Sequence, residues 1–141
     1  MTEFEKMSAG KLYDTSEREL ATLRCKAHNL SKDYNDTYED ETEKRAAILK
    51  ELCPNLGKGT FIQGPVQFDY GVNFATGENC YFNFNLTVLD CAPVTLGDDV
   101  FIGPNCQLVP PVHPLLSEER NIRVKEDGTP YDIEYAKPMV I

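Results

Sequence analysis

Leu96-Gly97-Asp98-Asp99-Val100-Phe101 and Ile102-Gly103-Pro104-Asn105-Cys106-Gln107 are two adjoining copies of one six-residue unit, an aliphatic residue, a glycine and four variable positions. Further apolar residues stand two positions ahead of each hexad start, at Val94, Val100 and Cys106. Short flat strands that turn one aliphatic side chain inward per hexad, with Gly or Asn at corners where a Cβ would be strained, produce this period. Coils built this way stack, and each buries the open end of the next.

Outward from these units the same beat continues. Apolar residues recur at Leu56, Ile62, Phe68, Phe74, Cys80 and Leu86, slip by four positions at the Asp90 to Pro93 bend, and resume at Leu96, Ile102 and Leu108. Leu56-Gly57 repeats the aliphatic-glycine phase. A sandwich of short strands would also alternate and turn on glycines, but two-residue alternation does not create a six-residue recurrence of this length. The expectation is a mainly β fold, a parallel solenoid over residues 55–141. The stretch Leu115 to Lys137 leaves the pattern: it is charged, carries an Asp127-Gly128 turn signal and is too polar for a core, so an excursion loop is expected at about 113–137.

Ahead of the repeat, residues 1–54 read as a small helical region. Three capping boxes are expected, Thr2 with Glu5, Ser16 with Glu19, and Asp40 with Glu43 in a looser form. Leu20, Leu23, Ala27, Leu30 and Tyr34 fall at helical spacings and define one apolar face, and Ile48, Leu49 and Leu52 another. Cys53-Pro54-Asn55 ends the helical pattern, since a residue ahead of proline is pushed out of the helical region.

Composition narrows the partners. The 141 residues carry a net charge of -9, which repels phosphate backbones and anionic lipid, so neither nucleic acid nor a membrane surface is expected. The start, Met1-Thr2-Glu3-Phe4-Glu5-Lys6, is acidic where a signal peptide is basic and then apolar, and a cytosolic protein is expected. Five scattered cysteines with no C-x-x-C pair argue for reduced, mostly buried thiols. A zinc site built on three imidazoles is not expected from a chain with two histidines.

Lys6-Met7-Ser8-Ala9-Gly10-Lys11-Leu12-Tyr13-Asp14 resembles the opening of the maltose and galactoside O-acetyltransferase helical domain. Tyr81-Phe82-Asn83-Phe84-Asn85 followed by Leu89-Asp90 resembles the acceptor-site strand of that family, and His113-Pro114 its catalytic His-Pro. The resemblance implies a left-handed parallel β-helix assembled as a homotrimer, with acetyl-CoA and a sugar acceptor such as glucose, maltose or a galactoside meeting between subunits. It implies His113 as general base, Asp69, Tyr81 and Asn83 at the acceptor, Asp90 either on a sugar hydroxyl or orienting the histidine, and Asn83 also toward the acetyl-CoA co-substrate.

The chemistry suits the assignment. A sugar hydroxyl is a weak nucleophile until its proton is being removed, and an imidazole with an ordinary pKa of about 6.5 can remove it. Of the two histidines, His28 lies in a helical stretch among charges, whereas His113 stands where the chain leaves the repeat. From spacing alone His113 also fits a structural histidine in a Pro-rich loop, and Asp90 a coil-corner aspartate. Cys91 stands where some relatives have a carboxylate, which leaves the acceptor sugar open.

Ala136 to Ile141 reads as a return to the repeat at a hexad whose glycine is absent, and relatives continue through further coils that supply most of the acetyl-CoA groove. A short end of this kind sets a second expectation beside transfer: a weak or inactive remnant that binds sugar or oligomerises.

Overall fold

The computed structural model describes residues 1–141. Helix α1 (Glu3–Ser8) starts on the expected box, with Thr2 and Glu5 capping each other's backbone amides. A short strand β1 (Tyr13–Asp14) follows, then α2 (Arg18–Asn35) and α3 (Thr42–Leu52).

The other two boxes do not form, and at α2 local competition explains it. Asp14 takes the Ser16 backbone amide at 2.9 Å and its hydroxyl at 2.7 Å, so Glu17 caps α2 instead through the amides of Glu19 and Leu20. At α3 the N-cap is Glu41, which accepts from the Tyr38 amide at 2.8 Å and leaves the helix without a side-chain cap. The apolar face of α2 is as expected: Leu20, Ala27 and Tyr34 are buried, with Leu23 and Leu30 packed at the margin.

From Asn55 the chain forms short strands: β2 (Phe61–Ile62), β3 (Val66–Phe68), β4 (Phe74–Thr76), β5 (Tyr81–Phe82), β6 (Leu86–Val88), β7 (Val94–Leu96), β8 (Phe101–Ile102) and β9 (Gln107–Leu108). An excursion then carries β10 (Pro111–Val112), α4 (Ser117–Arg120), the hairpin β11 (Arg123–Val124) and β12 (Pro130–Tyr131), and β13 (Ile133–Ala136), before β14 (Met139–Val140). Three parallel sheets result, ordered β2-β5-β8, β3-β6-β9 and β14-β7-β4, which form the three walls of a prism.

Strand partners from β2 to β9 lie twenty residues apart, as in Phe61↔Tyr81, Tyr81↔Phe101 and Phe74↔Val94. Each coil is thus three hexads with two extra residues, and the extra pair falls at one corner, after β3 and again after β6. The single four-residue slip expected at Asp90–Pro93 is therefore two slips of two residues. The first was masked because positions two apart along a strand both face inward, so Phe74 continues the six-residue beat from the other inward phase.

Inside, Ile62, Phe68, Phe74, Phe82, Val88 and Val94 are all fully buried. Phe74 lies 5.3 Å from Phe68 and 5.5 Å from Phe82, ring centre to ring centre, in the tilted and edge-on arrangements that aromatic quadrupoles favour. The corners expected of Gly or Asn divide by cause. Gly59, Asn79 and Asp99 take the left-handed conformation at the same corner of successive coils. Gly57 and Gly77 do not, but a Cβ on either would overlap the next coil's backbone or corner Asp98, so stacking alone demands glycine there.

The excursion is more ordered than its polarity suggests. β13 pairs antiparallel with β1 on one side and β10 on the other, which buries Glu134 and Ala136. Met7, Tyr13, Leu20, Tyr70, Cys91, Ala92 and Ala136 form a second buried cluster, tying the helical region and the excursion to one corner of the prism. No helix is long and apolar enough to cross a membrane.

Candidate active site

The wide corner after β3, β6 and β9 is where the chemistry collects. In the first coil it carries Asp69 to Asn73, in the second Leu89 to Pro93, and in the third it opens into the excursion that bears His113.

Asp90 holds this corner together. Fully buried, its carboxylate accepts the Tyr70 amide at 2.8 Å and the Asn73 amide at 3.1 Å, while its carbonyl accepts from the Asn73 side chain at 2.9 Å. Burial pushes its pKa up, and the backbone amides oppose the shift. The acceptor or histidine-orienting role expected of Asp90 is not available to a carboxylate with no exposed surface; its geometry is that of a corner staple.

His113 finds a different carboxylate. In the β10–β13 ladder Pro111 faces Ala136 and Val112 faces Tyr135, and the next step of that register sets His113 beside Glu134. His113 Nδ1 lies 3.4 Å from Glu134 Oε2. On the far side of Glu134, the cross-strand Tyr13 donates its hydroxyl to Oε1 in a short hydrogen bond. Burial pushes Tyr13 far up, which keeps it a donor; burial also raises Glu134, and the Tyr13 bond and the charge of His113 pull it back.

An Nδ1–H turned to Glu134 leaves the Nε2 lone pair to act as a base. His113 is more than half exposed and opens on a cleft of about 570 Å³, lined with Gly10, Leu12, Pro114, Leu115, Arg123 and Tyr135.

The remaining expected residues separate into two places. Asp69 stands on the His113 corner, two coils away, with Oδ1 3.0 Å from His28 Nε2 and Oδ2 3.9 Å from Cys91 Sγ. The same sulfur lies 3.9 Å from Glu134 Oε1, and burial pushes the thiol up to about 12. Tyr81 and Asn83 belong to another wall. Tyr81 stacks on Phe61 at 5.9 Å, and Asn83 caps its own turn through the Phe84 amide at 2.8 Å. Within one chain neither contributes to the His113 cleft.

Glu134, Tyr13 and His28 escaped the sequence reading. The run Ile133-Glu134-Tyr135-Ala136 alternates as a strand does, which was the available signal for Glu134. Nothing local tells that Tyr13 lies across from it, 121 positions away. No group of three His, Cys, Asp or Glu side chains is arranged to hold a metal ion.

The maltose acetyltransferase hexapeptide capping motif matches residues 6–57. A maltose O-acetyltransferase from Clostridium difficile 630 superposes with a TM-score of 0.86 at 37% identity, over 98% of this chain and 69% of that one. The chain belongs to the maltose and galactoside O-acetyltransferase family. A second member, the galactoside O-acetyltransferase of Escherichia coli K12, is 38% identical over 82% of this chain and 57% of its own length. A galactoside acetyltransferase in complex with coenzyme A superposes with a TM-score of 0.84 at 34% identity, over 98% of this chain and 64% of that one. The chain thus spans between half and two thirds of the length of these two galactoside acetyltransferases.

Proposed function

We propose that the chain is a cytosolic, acetyl-CoA-dependent sugar O-acetyltransferase with His113 as its general base. The observation that carries this reading is the Tyr13–Glu134–His113 line, which presents a carboxylate-oriented imidazole to an open cleft in a chain of this family.

The reaction follows from that line. His113 Nε2 takes the proton of an acceptor hydroxyl as the oxygen attacks the thioester carbonyl of acetyl-CoA. Glu134 stabilises the imidazolium that forms, and the tetrahedral intermediate collapses with loss of the coenzyme A sulfur, which regains the proton from His113. The coenzyme A held by the related galactoside acetyltransferase supports acetyl-CoA as donor.

We read the three-walled prism as a left-handed parallel β-helix and the working form as a homotrimer. Tyr81 and Asn83 lie on a wall away from the His113 corner, so they would reach the acceptor and acetyl-CoA from a neighbouring copy, whereas Asp69 would meet the acceptor from the same chain.

The test is thiol release from acetyl-CoA with glucose, maltose or methyl β-galactoside as acceptor. Saturable transfer should fall by about 10²- to 10⁴-fold in His113→Ala. Equal trace rates in both proteins would sink the assignment, and sugar binding without transfer would favour a binding module.

A further inference from the structure

In the sequence His28 is one histidine among helical charges, yet the fold turns it onto the His113 corner. Its Nε2 lies 3.0 Å from Asp69 Oδ1. Asp69 Oδ2 faces Cys91 Sγ, whose sulfur also faces Glu134. Two histidine–carboxylate pairs, His28–Asp69 and His113–Glu134, are therefore bridged by one buried thiol along one edge of the prism.

We infer that His28 is a positioning residue for the acceptor: it clamps one oxygen of Asp69, so that the remaining lone pairs of that carboxylate are presented to a sugar hydroxyl on the His113 corner. This rests on Asp69 meeting the acceptor, as in the function proposed above, and adds a residue and a division of labour. Glu134 orients the base, and His28 orients the group that orients the sugar.

The physical case is one of geometry. An unrestrained Asp side chain at a corner samples several rotamers, whereas a bond from an imidazole N–H fixes the carboxylate plane and selects which lone pairs remain free. Cys91 fits the arrangement because a thiol that stays protonated can face both carboxylates without adding a third negative charge. The histidine side chain is 44% exposed, so the pair adds little to stability, and removing it should leave the fold standing.

The experiment is steady-state kinetics on wild type, His28→Ala and His28→Gln, varying acetyl-CoA and maltose or methyl β-galactoside independently. His28→Ala should raise the acceptor KM by about tenfold, while the acetyl-CoA KM and kcat move by less than about twofold. Glutamine, whose amide N–H can replace Nε2–H, should recover most of the loss. An unchanged acceptor KM, or kcat and both KM values moving together, overturns the inference.

Should the wild type transfer no acetyl group at all, the transferase reading falls separately. The inference is then decided by calorimetric titration with the same two sugars. Binding that is lost in His28→Ala upholds it; equal heats in both proteins, or none in either, overturn it.

Discussion

Inside the prism the buried side chains are Ile62, Phe68, Phe74, Phe82, Val88 and Val94, whereas at the corner that bears His113 they include Tyr13, Cys91, Asp90 and Glu134. The prism repeats itself every twenty residues, so each contact has a counterpart one coil away. The corner has no counterpart: its partners come from β1, from two coils and from the excursion, and each polar group depends on a particular neighbour. Repetition supplies stability that tolerates variation, and the single non-repeating corner supplies a site in which desolvated groups are oriented.

Variants should separate the two regions. The largest loss of stability is expected from Phe74→Ala, which empties the centre of the aromatic cluster; about 3–5 kcal/mol should be lost in denaturant unfolding. Its folded fraction should keep the wild-type KM for both substrates. A variant that stays stable yet loses its affinity for acceptor would show that the prism and the corner are not separable.

Tyr13→Phe comes next. It removes the hydroxyl that satisfies Glu134 Oε1 and should cost about 1–3 kcal/mol, together with a fall in kcat as His113 loses its fixed partner. An unchanged kcat would mean that Glu134 is held by its strand alone.

Glu134→Gln should have the smallest effect on stability, and in the opposite direction. Burial holds the Glu134 pKa above the ordinary value of 4.5, so the fold favours the protonated acid. The stability this group contributes is complete below 4.5 and is lost as pH rises through the folded-state value. At neutral pH the glutamine variant should therefore melt slightly above wild type, and the difference should close as pH falls to 4.5. Its kcat should nevertheless drop. A melting temperature that falls at neutral pH would show that the ionised form is the one the corner prefers.

How far each region could be read in advance follows the same division. Leu96-Gly97 and Ile102-Gly103 announce stacked coils because the period is written many times over, and even a masked slip ahead of Phe74 leaves the inward set nearly intact. His113 could be singled out because only two histidines exist and one stands where the repeat breaks. Glu134 lies in a stretch too polar for a core, although the alternation of Ile133 to Ala136 is that of a strand. The Ser16 cap failed for a related reason, since Asp14 offers competing bonds that a motif of four residues does not register.

The sequence by itself determined the repeat, the helical region ahead of it and the excursion, because each is encoded by residues near one another or by a period. Only the tertiary structure decided that Glu134, and not Asp90, stands beside His113, that Tyr13 closes the line, and that His28 meets Asp69. Those pairings join positions 21, 121 and 41 apart. A contact at such range is set by how sheets and helices pack around the corner, and no local pattern of side chains records it.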